Sequence, residues 1–244
     1  MKSPRAKTMN VRADFRLRDM RNWDSAVWAD LLKRLTILVV GLFFFAVSVV
    51  LSLQCNLGAS SWTVFHDGFS KHTPLTIGEA SELTGLLMLV ISWFVGIKPG
   101  IGTVLNMILV GVFTDMLLGS GLIDKAGPYP LRIAMLIGAI AVIGLASGMY
   151  ISSGLGAGPR DSFMLALTEI TGLSVHINRW MIEFVVIVAG IFLGGSFGIG
   201  TIIMVLLTGP AVGLGFRLFG LPTRSRSGRP ARRANEHVRL ANDD

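Results

Sequence analysis

The chain has 244 residues, 52% of them hydrophobic and 15% charged, with a net charge of +7. A soluble domain carries about 25% charged residues, so this composition, with a mean hydropathy of +0.64, excludes an ordinary soluble fold. The charge sits at the ends: residues 1–34 hold nine Lys/Arg and four Asp, residues 217–244 seven Arg and three acids, and everything between only six basic and eight acidic side chains.

Basic residues that flank apolar spans fit the positive-inside rule for cytoplasmic segments. No nucleic-acid-binding motif lies among them, so nucleic acid is not an expected partner. The single cysteine, Cys55, excludes an intrachain disulfide and a Cys-based metal site. Residues 1–34 read as a basic cytoplasmic segment rather than a cleavable signal, because a long polar stretch precedes the first apolar run. Within it Val11, Phe15, Trp23, Val27 and Trp28 alternate with Arg and Asp, which suits either an interfacial helix with aromatic anchors or a loosely ordered tail.

A membrane-spanning helix needs about 20 apolar residues. Six stretches qualify: about 35–55, 77–96, 101–118, 131–152, 175–194 and 199–219. Thr76 and Glu79 have capping-box spacing before the second. Pro99-Gly100, then Gly127, Pro128 and Pro130, then Gly194, Gly195 and Gly198 punctuate the chain between spans. Both tight hairpins, 77–118 and 175–219, predict antiparallel neighbours. Six crossings put both arginine-rich ends in the cytoplasm, with Lys98 inside, Asp124 and Lys125 outside, and Arg132 in mild conflict at an outer end. From 221 on, the basic tail reads as disordered and cytoplasmic, and able to touch anionic lipid head groups.

Residues 98 apart match without a gap. Leu57-Gly58-Ala59 returns as Leu155-Gly156-Ala157, Gly100-Ile101-Gly102-Thr103 as Gly198-Ile199-Gly200-Thr201, and Arg34, Gly96 and Gly111 as Arg132, Gly194 and Gly209. The membrane domain, 35–220, is thus expected to be one unit used twice, about 34–120 and 132–218. Three crossings per unit is odd, so the second copy enters from the opposite side, as in the inverted repeats of many secondary transporters. Between its first two spans each unit holds a segment too short to cross, 60–72 and 159–171. Pro159 and Asp161 are helix-start residues, and each short helix is either re-entrant or interfacial.

The Gly-Ile-Gly-Thr runs lack the Lys-Ser/Thr and the preceding strand of a phosphate loop. Gly58, Gly100, Gly102, Gly156, Gly198 and Gly200 are therefore read as packing glycines. Together with Trp62, Asn106, Asp115, Glu183 and Gly158-Pro159-Arg160-Asp161, these motifs resemble the YczE/YyaS/YitT group of bacterial integral membrane proteins, the YczE-like branch in particular, over about 34–220. The resemblance implies a multi-pass protein of the bacterial inner membrane and supplies no reaction. The family's usual Pro-Trp-Asp in the first unit is Ser61-Trp62-Thr63 here, so the acid survives only at Asp161.

Ionisable groups within spans are costly and mark candidate sites. The candidate substrate cluster is Arg160, Asp161, Arg179, Glu183, Asn106 and Asp115. Glu183 lies about two turns into the fifth span, and Arg179, one turn earlier, either pairs with it along the helix or joins it in a cavity with Arg160 and Asp161. Asn106 and Asp115, nine residues apart, fall on nearly opposite faces of one helix. His66, Asp67 and His72 are a weak metal signal, and no metal or cofactor is expected. No nucleophile–base or metal motif supports an enzyme. Two readings remain, a small-solute transporter or permease and a non-transporting scaffold that binds a protein partner; partner identity and oligomeric state are not legible.

Overall fold

The computed structural model describes residues 25–97, 99–156 and 158–221. The N-terminal stretch before Ser25, the tail from 222, Lys98 and Ala157 lie outside them, and with them the expectations placed on those residues. Among the described residues the chain forms eight α-helices and no strand: α1 (Ser25–Gln54), α2 (Ser61–Ser70), α3 (Ile77–Phe94), α4 (Ile101–Ser120), α5 (Tyr129–Ser152), α6 (Pro159–Thr171), α7 (Val175–Phe192) and α8 (Ile199–Leu218).

Local chemistry accounts for the boundaries. Thr76 and Glu79 close both halves of a capping box at the start of α3. Pro128 and Pro130 frame the start of α5, Pro159 opens α6, and left-handed glycines, Gly121 and Gly172, end α4 and α6. Helix α1 begins at Ser25 rather than at 35. No Gly or Pro interrupts 25–34, and Asp30 and Arg34 form a 2.7 Å ion pair one turn apart.

Helices occupy all six expected span positions. Five of them, α1, α3, α4, α5 and α8, are long and apolar enough to cross a membrane. Helix α7 carries Asn178, Arg179 and Glu183 in its N-terminal half.

Helices α1 and α5 pack together at the centre, with α4 against α1 and α8 against α5. Lipid tails are as apolar as leucine, so helices associate through close packing and hydrogen bonds rather than hydrophobic exclusion. The contacts follow that rule. Gly41 lets α1 approach the backbone at Tyr150, Gly144 and Gly148 let α5 approach Ala211 and Gly215, and the Ser48 hydroxyl donates to the Ala139 carbonyl at 2.7 Å. Leu38, Leu42, Val110 and Tyr150 fill one side of this core, and Cys55, Leu136, Ala139 and Met204 the other. Phe94 (89% exposed) and Phe192 (86%), 98 residues apart, both project outward.

The short helices lie against this frame. Helix α2 packs on α7 and α3, and α6 on α3, α7 and α4. Seven of the ten α2 residues are buried, which a helix lying on a surface would not achieve. Gly68, Gly190 and Gly195 bring α2 against α7 and the loop after it. Asp67 holds that loop, accepting from the Ser196 backbone N–H (2.7 Å), the Ser196 hydroxyl (2.6 Å) and Lys71 (2.8 Å).

The two Gly-Ile-Gly-Thr segments do more than permit helices to approach. The Gly102 N–H donates to the Leu155 carbonyl (2.9 Å), and the Gly200 N–H to the Leu57 carbonyl (2.7 Å). Each helix start is therefore seated on the Leu-Gly loop of the other half. Gly58 (φ 113°) and Gly156 (φ 140°) adopt a backbone closed to other residues, and a side chain at Gly58 would meet the Gly198 nitrogen.

One expectation is corrected. Helices α3 and α4 are packed neighbours, but α8 makes no comparable contact with α7. The α3–α4 approach depends on paired glycines: Gly78 lies on the Gly111 carbonyl and Asp115, and Gly111 on Glu82. At the corresponding places the second half has His176 instead of Gly78, and Gly209 with open space around it. Without the glycine pair, and with α7 committed to α2, the second hairpin stays open.

Candidate functional site

The N-terminal ends of α2 and α6 converge. Trp62 is the second residue of α2 and Arg160 the second of α6, and the Arg160 guanidinium carbon sits 4.8 Å from the centre of the Trp62 ring. A cation–π contact of this kind contributes about 0.5–2 kcal/mol, the more so when desolvated. Neither helix N-terminus has a side-chain cap; at α2 the Ser60 hydroxyl pairs with the Thr63 hydroxyl at 2.7 Å instead.

Arg160 has acidic groups around it but no ion pair. Glu183 exerts the largest attractive influence on it, followed by Asp161. Among the described residues the ion pairs are Arg34–Asp30 and Lys71–Asp67, so Arg160 and Glu183 are close without touching. The along-helix pair of Arg179 with Glu183 does not form either: Arg179 is exposed, and its charge acts on Asp161. The Asp161 carboxylate and the Tyr150 hydroxyl lie near enough to act on each other electrostatically. Asn106 joins from α4, its side-chain oxygen beside Gly158, where the Tyr150 hydroxyl also lies.

Five of the six expected residues thus border one region: Arg160, Asp161, Glu183 and Asn106 directly, and Arg179 from its edge. Asp115 is elsewhere. It accepts hydrogen bonds from the Thr76 hydroxyl and the Gly78 N–H (2.9 Å), fixing the start of α3. The opposite-face geometry of Asn106 and Asp115 is why one helix serves two places.

Tyr150, Trp62 and His66 complete the cluster. Tyr150 carried a readable signal, since a hydroxyl inside an apolar span needs a partner. His66 lies one turn after Trp62, ring centres 6.2 Å apart. It is 4% exposed, and its Nε2 has no hydrogen-bond partner among the described residues. Burial, reinforced by the Arg160 charge, pushes its imidazole well below the usual histidine range, so it is neutral at pH 7. The neighbouring Asp67 is committed to Lys71 and Ser196, and the described residues hold no cluster of three His, Cys, Asp or Glu suited to a metal.

Comparison with known proteins gives a consistent result. Residues 32–216 match the model of DUF6198, a family of unknown function. The chain is 37% identical over 182 residues to the uncharacterized membrane protein YczE of Bacillus subtilis, covering 74% of this chain and 84% of that one. It is 29% identical to an uncharacterized protein of Haemophilus influenzae (77% and 85% covered) and 25% identical to the uncharacterized protein YyaS of B. subtilis (70% and 86%). No solved structure matches.

Proposed function

For this chain, which belongs to the membrane-protein family DUF6198, we propose that the α2–α6 junction is a solute site and that the protein is a small-solute transporter of the bacterial plasma membrane. The observation that carries the reading is the half-buried cluster of charges that form no ion pair among the described residues, Arg160 on Trp62 with Glu183 and Asp161 nearby. Charge held within a membrane domain is costly, and a pathway for polar solutes is a common use of it.

The rest of the proposal concerns architecture. Helices α1, α3 and α4 and their counterparts α5, α7 and α8 are two inverted three-crossing repeats, with α2 and α6 as re-entrant helices and both termini in the cytoplasm. Exchanging the halves turns the α1–α4 contact into α5–α8, α2–α7 into α6–α3, and α2–α3 into α6–α7. The reciprocal Gly102–Leu155 and Gly200–Leu57 hydrogen bonds follow the same exchange. In transporters of this plan the site lies where the repeats meet, at broken or short helices.

The test is a thermal-shift screen of detergent-purified protein against ions and metabolites, followed by uptake of each hit into proteoliposomes. A ligand that binds only the folded state raises its stability by mass action. Uptake above protein-free vesicles, lost in a folded Glu183→Gln variant, is the expected result. Binding without uptake, together with co-purification of a stable protein partner, would favour a scaffold instead.

A further inference from the structure

We infer that the ligand of this junction is a small monovalent organic carboxylate, held by the Arg160 guanidinium and the His66 imidazole. The inference rests on reading the cluster as a solute site and adds its chemical class.

Arg160 is half-buried, with its guanidinium carbon over the Trp62 ring. A guanidinium carries five N–H donors, and no described carboxylate lies within ion-pair distance of Arg160 to take them. A planar carboxylate matches that fork with two parallel hydrogen bonds. His66 is a second, independent pointer: a polar side chain 4% exposed, with Nε2 unpartnered, on the same face of α2 as Trp62 and within electrostatic reach of Arg160. Leaving such a group unsatisfied is costly, and a neutral imidazole can donate to a ligand oxygen. The uncapped starts of α2 and α6 add positive potential to the same junction.

The surroundings narrow the class. A cationic ligand finds the Trp62 face already occupied by Arg160. A dianion or phosphate would face Glu183 and Asp161, both of which act on Arg160. One negative charge, on a planar group, fits.

The experiment uses full-length protein in detergent with sodium acetate, lactate and benzoate as probes. Sodium chloride at matched ionic strength, inorganic phosphate and the neutral lactamide are controls. At least one carboxylate should raise the melting temperature saturably while the controls do not. Arg160→Gln should abolish the shift. Arg160→Lys, which keeps the charge without the fork, and His66→Phe should each weaken apparent affinity at least tenfold. The inference is overturned if none of the three carboxylates acts, if lactamide or phosphate acts equally, or if Arg160→Lys binds like the parent. Should Arg160→Gln not fold, the Lys and Phe variants decide. Proteoliposome uptake separates the two claims: carboxylate binding without uptake sustains the site and refutes transport, and uptake of a non-carboxylate without carboxylate binding does the reverse.

Discussion

Replacing Gly102 by alanine tests the seating of one half on the other. A Cβ there would lie 2.8 Å from the Leu155 carbonyl carbon and 2.9 Å from its oxygen. Both are backbone atoms, so no rotamer change relieves the contact. Overpacking of this kind costs about 1–3 kcal/mol. The Gly102–Leu155 hydrogen bond, 2.9 Å, is pushed apart at a further cost of about 0.5–1.5 kcal/mol. Alanine's better helix propensity returns up to about 1 kcal/mol, leaving a net loss of roughly 1–3 kcal/mol. Gly209, in α8, is the control: nothing lies within 4 Å of its hypothetical Cβ, so alanine there should be neutral or stabilise by up to about 1 kcal/mol. At roughly 2–4 °C per kcal/mol for a chain of this size, a difference of about 1–4 kcal/mol between the two variants should separate their melting by roughly 2–16 °C. The assay is thermal unfolding in detergent at one fixed scan rate, because membrane-protein melting is commonly irreversible. If Gly102→Ala melts within about 1 °C of Gly209→Ala, the close approach contributes nothing and the reasoning fails.

Asp115→Asn should loosen the start of α3, where the carboxylate receives Thr76 and the Gly78 N–H, at a cost of about 0.5–2 kcal/mol. Hydrogen exchange should quicken at Gly78 while solute binding stays unchanged. Asp67→Asn breaks the tie between α2 and the α7–α8 loop and should cost about 2–4 kcal/mol. A double-mutant cycle with Ser196→Ala that shows no coupling would sink this assignment. Cys55, with no exposed surface and its thiol on the Ser52 carbonyl, should resist maleimide in the folded protein and react after denaturation; rapid native labelling would contradict its burial.

Much of the frame was legible because its signals are local. Apolar length located the six long helices, Thr76 with Glu79 announced its own capping box, and the 98-residue offset paired Gly102 with Gly200 before either was seen to bind a loop. Long-range partners carry no such mark. Asp67 and Ser196 are 129 residues apart, and nothing near either names the other. The open second hairpin was hidden for a similar reason: tight turns suggested packed neighbours, but the decision lies in whether two glycines face each other across the pair. Arg160 and Glu183 stood out as charges among apolar residues, whereas Trp62 entered only as a motif residue and His66 only as a weak metal signal until the fold set them beside that charge.

The contact of Trp62 with Arg160 has a consequence for how the two halves can vary. Positions 62 and 160 are 98 apart in sequence, and their side chains touch each other. On the two-copy reading, a residue at such a place always meets its own counterpart. Two identical copies would set arginine against arginine, with like charges about 5 Å apart in a poorly solvated space, or tryptophan against tryptophan with no charge at all. Attraction and a held cation are available together only when the copies differ. At this point of the fold, difference between the halves is a condition for the site to exist.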